Sequence, residues 1–378
     1  MNHNIIYVGL DVSKDKIAMA VAPEGRRQPD YIGMMPNQAS AILRQMKRLG
    51  KPEQLRVCYE AGVTGYELQR LLAKTGIACE VIAPSLTPQS AGRRVKTDRR
   101  DALQLAGLYR SGELVPIYIP DEEDEAVRDL FRAREDVKED QLRARHRITK
   151  FLLRHGLQAP AHTRRWGVKY WDWLNQLTFA YPEMQVTLAE YRQTLTEVEQ
   201  RLHRLEQAIK QRAQKGKLAP LIQALKTFRG ISTITAVGLA AEIGSFQRFS
   251  SARAFMAYTG LIPSEYSSGG KRRQGHLTRT GNRHVRRLLV EAAWTYRHRP
   301  VVKGDLKKRQ EDQPAEQLQL SWQAQRRLHH KYMHLISRGK EAGKVVTAVA
   351  RELAGFVWAL AWTVERPKET GKQVDLAL

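Results

Sequence analysis

The stretch Ile5-Ile6-Tyr7-Val8-Gly9-Leu10-Asp11 decides how the first third of the chain is read. It is a continuous apolar run ending in an acid, the pattern of a central strand that delivers Asp11 at its carboxyl end. Lys16 to Ala22 follows after a short turn and reads as a hairpin partner. A helix is expected from Ala39 to Leu49. Leu55-Arg56-Val57-Cys58-Tyr59-Glu60 is a second strand ending in an acid, followed at once by Ala61-Gly62. Tyr66 to Lys74 reads as a helix and Ile77 to Ile82 as another strand. A hairpin first, then strands alternating with helices, argues for a mixed sheet with helices packed on it.

Next comes Gly92-Arg93-Arg94-Val95-Lys96-Thr97-Asp98-Arg99-Arg100-Asp101. On a helix, Asp98 and Asp101 share a face, with Arg93, Arg94, Lys96, Arg99 and Arg100 crowded around them. Two carboxylates ringed by positive charge suit a divalent cation and a phosphate together. They also suit a salt-bridged helix start, with Asp98 as a cap or first-turn acid. In open sheets, chemistry gathers at the carboxyl ends of strands, where Asp11 and Glu60 both lie. A helix bearing Asp98 and Asp101 could cross the same end. Four acids cannot stay ionised side by side without a cation. A divalent metal removes that conflict, polarises a phosphodiester and activates an attacking hydroxyl. The Gly9-x-Asp11-x-Ser13 strand end is also shared with actin-like and sugar-kinase ATPases. The sequence shows neither their second Gly-rich phosphate turn nor an adenosine pocket.

The totals point the same way. The 378 residues suggest two or three domains with real cores. Lys plus Arg number 63 against 39 acids, a formal charge of +24. Such a balance calls for a polyanionic partner, and nucleic acid is the default. It is at odds with a metabolite kinase. No basic amphipathic anchor is evident, so no membrane partner is expected. The apolar stretch from Lys344 to Val364 carries Lys344, Arg351 and Glu352 and reads as a buried helix. Met1-Asn2-His3-Asn4-Ile5 has no signal pattern. Cys58 and Cys79 alone offer neither a disulfide framework nor a cysteine metal knuckle, which fits a reducing, cytoplasmic setting.

Beyond about residue 118 the chain reads as helical. Asp121 to Glu125 is an acidic run before a long helix reaching His155. Trp166, Tyr170, Trp171 and Trp173 read as core for a small helical cap, or as stacking surfaces beside Arg164 and Arg165. Met184, Leu188, Tyr191, Leu195, Val198, Leu202, Leu205 and Ile209 form a heptad seam. That predicts a coiled coil, expected as an antiparallel hairpin in cis. Arg229-Gly230-Ile231 resembles the Gly turn of a helix-hairpin-helix or a simple helix–helix turn. Ser267-Ser268-Gly269-Gly270 reads as a flexible turn ahead of Lys271, Arg272 and Arg273. From 271 to 309 there are 13 Lys or Arg and two acids, Glu291 and Asp305. Such density marks a phosphate-binding face, to which Arg279, Arg283, Arg286 and Arg287 belong. His329, His330 and His334 lack companion ligands and read as surface or nucleic-acid contacts.

Seven motifs occur in order: Gly9-x-Asp11; Tyr59-Glu60-Ala61-Gly62; Lys96-Thr97-Asp98-x-x-Asp101-Ala102; Arg229-Gly230-Ile231; Gly260-Leu261-Ile262-Pro263; Ser268-Gly269-Gly270-Lys271; and Gly281-Asn282-x-x-x-Arg286. Each is weak alone, but the ordered set, spanning about 6 to 360, resembles the transposases of the insertion-sequence 110 family. These are DEDD recombinases described as bridge-RNA-guided. The resemblance implies a RuvC-like, RNase H-type α/β domain over 1–118 with Asp11, Glu60, Asp98 and Asp101 holding Mg²⁺. It implies a helical coiled-coil region over 119–212 and a mainly helical, serine-bearing transposase domain over 213–378. The nucleophile carries over to Ser268, with Ser267 as the open alternative. The family cuts DNA through a phosphoserine link, pairs a structured guide RNA with donor and target DNA, and works as a tetramer. A bacterial or archaeal, nucleoid-associated setting follows. Arg99-Arg100 between the aspartates and the long polar segment from Gln310 to His334 depart from the family pattern. A RuvC-like junction nuclease using water, and a non-catalytic nucleic-acid scaffold, are the alternative functions.

Overall fold

The computed structural model describes residues 5–88 and 97–366, with backbone only at Lys271 and Arg272. It divides into two compact units, 1–120 and 121–378.

In the first unit, β1 (Ile6–Val12), β2 (Lys16–Pro23) and β3 (Asp30–Pro36) precede helix α1 (Ala39–Leu49). Then come β4 (Leu55–Glu60), α2 (Glu67–Lys74), β5 (Ala78–Ile82) and α3 (Asp98–Ser111). The sheet order is β3-β2-β1-β4-β5. β1 and β2 pair antiparallel, as do β2 and β3, whereas β1–β4 and β4–β5 are parallel. This is the mixed sheet of a RuvC-like domain. Strand β3 was not anticipated from the sequence. It opens on Asp30, closes on Pro36 and is only half-buried at the sheet edge, so it lacks the apolar run of an inner strand.

The two faces of the sheet differ in kind. On one, Val8, Leu10, Val57 and Tyr59 pack with Ile42, Met46 and Leu72 from α1 and α2. On the other, Ala18, Ala20 and Ala22 meet Ala102 and Ala106 of α3. Such small side chains let α3 lie close to the sheet. Cys58 and Cys79 are both buried and unbridged, and burial pushes the Cys79 thiol up to about 12.

The second unit opens with α4 (Glu122–Arg154), α5 (Val168–Gln176) and α6 (Pro182–Arg212). Helices α4 and α6 run antiparallel. Arg134 pairs with Glu206 at 2.6 Å and Gln141 with Glu199 at 2.9 Å, so partner numbers fall as the first numbers rise. The heptad positions Leu188, Leu195, Val198, Leu202 and Ile209 are buried. At the distal end, Trp166, Trp171 and Trp173 pack against a cluster containing Phe151, Tyr170 and Leu188.

There follow α7 (Ala219–Leu225), α8 (Thr233–Ile243), α9 (Ala252–Tyr258), β6 (Pro263–Ser268), β7 (Lys271–Leu277) and α10 (Arg283–Ala293). Helices α11 (Asp305–Gln310), α12 (Ala315–Ser337) and α13 (Ala342–Glu365) complete the unit. α13 is long and apolar enough to cross a membrane, but 72% of its apolar window is buried inside the protein. It is the central core helix, with Val349, Leu353, Val357 and Leu360 in the main cluster.

Candidate active site

Asp11 and Glu60 become neighbours through strand register. The parallel pairing of β1 and β4 runs to Leu10 opposite Tyr59, and each acid is the next residue along. Adjacent strands lie about 4.8 Å apart, and residues in register point to the same face. That face belongs to α3. Gly9, two before Asp11, lies against Ala102 and Ala106, and Cys58, two before Glu60, packs with Leu105.

Helix α3 runs back along β1. The Tyr7 ring meets Tyr109 edge-on at 5.6 Å, and Gly9 sits between Ala102 and Ala106. Two further strand residues advance about 6.6 Å, and four helical residues about 6 Å. Asp11 therefore comes level with the first turn of α3, where Asp98 and Asp101 lie. Gly9 permits this approach, because a Cβ there would stand 2.3 Å from the Ala106 nitrogen and 2.5 Å from the Ala102 oxygen. Thr97 starts the helix, its hydroxyl accepting from the Arg100 backbone N–H at 3.4 Å. Both aspartates are favourably placed at the positive helix end.

Among the described residues, no group of three His, Cys, Asp or Glu is close enough to hold an ion. The fold brings the backbones of the four acids to one end of the sheet without gathering their carboxylates. Ionised carboxylates repel one another, and a cation would offset that repulsion. Arg99 lies over the Tyr31 ring at 5.2 Å, and Arg100 is exposed. Arg93, Arg94 and Lys96 lie outside the described residues.

The serine segment is a two-stranded ribbon closed by its paired glycines, rather than a turn alone. β6 and β7 pair antiparallel with Ser268 opposite Lys271. Gly269 and Gly270 both have positive φ, 56° and 78°, which is the requirement of a two-residue hairpin turn with mirror-image geometry. Paired glycines between two polar runs were the available signal for it. Alternation separates the two serines. Ser267 shares a face with Glu265 and donates to its Oε1 at 2.8 Å. Ser268 shares the opposite face with exposed Tyr266, which pairs with Arg273. Ser268 is exposed and its hydroxyl has no hydrogen-bond partner among the described residues. The side chains of Lys271 and Arg272 lie outside the described residues.

Close backbone contacts fix the base of the ribbon. A Cβ on Gly281 would stand 1.8 Å from the Tyr258 oxygen, and one on Gly260 2.3 Å from the Thr280 oxygen. Arg286 donates to the Thr259 and Thr280 carbonyls at 3.0 and 3.1 Å, so its guanidinium serves the fold. Arg287 pairs with Glu135 and, at 2.7 Å, with Glu291. Arg273, Arg279 and Arg283 are exposed. Gly230 likewise serves packing, since a Cβ there would stand 2.5 Å from the Ala292 oxygen. Arg229 donates to the His298 and Arg299 carbonyls. His329 faces the Tyr296 carbonyl at 3.0 Å.

The sequence reading missed Glu242. Its side chain is wholly buried, yet it accepts two hydrogen bonds from Arg132, at 2.8 and 3.0 Å. Arg132 and Asn282 beside it outweigh burial and hold its carboxyl below the usual range. Its only sequence signal is one acid inside the apolar run Thr233–Ile243.

Comparison with known proteins decides the family. Residues 222–306 match the family described as the transposase IS116/IS110/IS902 family, and residues 8–156 match a DEDD transposase model of the IS110 type. A transposase of Sinorhizobium fredii, y4qE, is 42% identical over 357 residues, covering 94% of this chain and 88% of that protein. The chain belongs to the IS110/IS116 transposase family. The transposase for insertion sequence element IS1533 of Leptospira borgpetersenii is 31% identical, covering 89% of the chain and 98% of that protein. The transposase for element IS1328 of Yersinia enterocolitica is 24% identical over 309 residues. As a transposase of this family, the protein acts in DNA transposition, the cutting and rejoining of DNA.

Proposed function

We propose that this transposase cuts and rejoins DNA through a phosphoserine link on Ser268, with Asp11, Glu60, Asp98 and Asp101 holding Mg²⁺. The observation that carries the reading is the register that sets Asp11 beside Glu60 on the sheet face crossed by the first turn of α3. These are all-oxygen donors, which suit a hard divalent cation. A cation held there would polarise the scissile phosphate and lower the pKa of an attacking hydroxyl.

The remaining steps belong to the chain. The Ser268 oxygen attacks phosphorus and gives its proton to water, while the P–O bond to one DNA end breaks and the departing DNA oxygen takes a proton from water to leave as a hydroxyl. The phosphate stays on serine until a DNA hydroxyl attacks it and releases the side chain. No external energy source is needed, since one phosphoester bond is exchanged for another. Exposed Arg273 beside the serine is suited to the charge that builds on the phosphoryl oxygens. In the same proposal 119–212 and 213–378 act as coiled-coil and serine domains. A structured guide RNA pairs with donor and target DNA, and four copies assemble. The family resemblance and the +24 charge support that part.

The test is a denaturation-resistant protein–DNA adduct formed with Mg²⁺. Ser268→Ala and Asp11→Ala should each abolish it while leaving DNA binding within about twofold. An adduct persisting in Ser268→Ala but lost in Ser267→Ala would move the nucleophile to the Glu265 face. Cleavage without any adduct would favour a water-using RuvC-like nuclease.

A further inference from the structure

The distal end of the α4–α6 arm carries a cavity of about 450 Å³. Thr149, Leu153, His162, Arg165, Tyr170 and Trp173 are among the residues lining it. That size falls within the range of small-molecule sites. The lining combines aromatic rings, aliphatic carbons and hydrogen-bonding side chains. Tyr170 and Trp173 lie 5.4 Å apart, tilted by 54°. Two non-glycine residues on the enclosing loop, His162 and Trp166, hold left-handed backbone at φ 60° and 63°. Such conformations persist only where the surroundings enforce them.

Charge is divided along the arm. Residues 121–140 contain ten acids and four Lys or Arg. Residues 141–171 contain eight Lys or Arg, three His and no acid. Arg147, Lys150, Arg164, Arg165 and Lys169 are exposed and make no ion pair among the described residues. The remaining acids near the distal end, Asp172, Glu183 and Glu190, do not offset them in number. Arg165 lines the cavity, and Arg164 and Lys150 are chain neighbours of lining residues; cations beside an aromatic-lined cavity suit a single strand, phosphates outside and a base within.

We propose that the tip of this arm binds an unpaired stretch of nucleic acid, with one base entering the Tyr170–Trp173 cavity and Arg164, Arg165 and Lys150 contacting its phosphates. The occupant is a single strand, because a base paired in a duplex would first have to be unstacked and flipped out, at a cost of a few kcal/mol that an unpaired base does not meet. The site goes beyond the serine reading and does not depend on it.

The experiment uses the full-length protein with 12-nucleotide oligouridine and oligothymidine and a 12-base-pair duplex. Replacing Arg164 and Arg165 by alanine should weaken single-strand binding at least fivefold. The slope of log affinity against log salt should shrink by about 1.4, about 0.7 for each lost single-strand phosphate contact. Thr163→Trp fills the cavity and should weaken single-strand binding with that slope unchanged. Strands carrying 4-thiouridine or 4-thiothymidine should crosslink to peptides within residues 149–173, and the more efficient of the two identifies RNA or DNA as the source. Ser268→Ala protein should crosslink equally, which separates failure here from failure of the serine reading. Crosslinks confined to other peptides, or equal losses for duplex and single strands, would overturn the proposal.

Discussion

The side-chain amide of Asn282 donates to Glu242 at 2.7 Å. Its oxygen accepts from the backbone N–H groups of His284 and Val285. One residue thus caps the helix that follows the serine ribbon and ties it to a buried acid, which Arg132 joins to the long arm. Glu242 is ionised in the folded protein below its ordinary pKa. Its contribution to stability is therefore present above the ordinary carboxylate range, about pH 4.3, and lost as pH falls through the lower folded value. Burial holds His284 below its ordinary value. Its protonation costs stability as pH drops below about 6.5. Glu242→Gln should cost about 2–3 kcal/mol at pH 7. That is less than a fully buried pair, since Arg132 is half-exposed. The gap to wild type should hold from pH 8 to about 5 and narrow below about pH 4, as measured by urea denaturation from pH 3 to 8.

Gly9→Ala places a carbon against backbone atoms of α3 that cannot swing away. Overpacking of this kind costs about 1–3 kcal/mol. It should also move the turn bearing Asp98 and Asp101, so cleavage should fall more steeply than stability implies. Gly50→Ala is the control, because its nearest neighbour is the flexible end of Gln54 at 3.3 Å. Denaturation midpoints and Mg²⁺-dependent cleavage, measured together, check both.

At the ribbon tip, Gly269→Asn should be tolerated, since asparagine accepts left-handed backbone. Gly270→Val should not, because a β-branched residue at φ 78° is strained. The expected reading is near-normal adduct yield for the first and at least a tenfold loss for the second. DNA affinity should hold in both.

Arg286 and Arg283 sit one turn apart and should behave oppositely. Arg286→Ala leaves the Thr259 and Thr280 carbonyls without their donor, at a cost of about 1–3 kcal/mol. It should lower the melting temperature and leave the salt dependence of DNA binding unchanged. Arg283→Ala should leave melting unchanged and reduce the salt slope by about 0.9 if it contacts a duplex phosphate.

The strands carrying Asp11 and Glu60 near their carboxyl ends are legible because buried central strands announce themselves as apolar runs. The α6 seam was legible because its spacing repeats over the whole helix. Strand β3 was not, since an edge strand needs no apolar run. The serine ribbon reads in sequence as a flexible turn because its strands are exposed and polar, leaving only two glycines to betray the hairpin. Arg286 looked like its basic neighbours because sequence shows charge density but not direction. Glu242 could not be weighed, because its partners come from positions 110 residues before it and 40 after.

An exposed Ser268 with no acceptor of its own is an ordinary alcohol in water. Carried alone on its ribbon, it poses no hazard to DNA that the protein meets in passing. If it is the nucleophile, danger arises only when carboxylates, cation and strand come together around it. For an element that lives inside its host's chromosome, that conditional reactivity is a safeguard written into one polar hairpin.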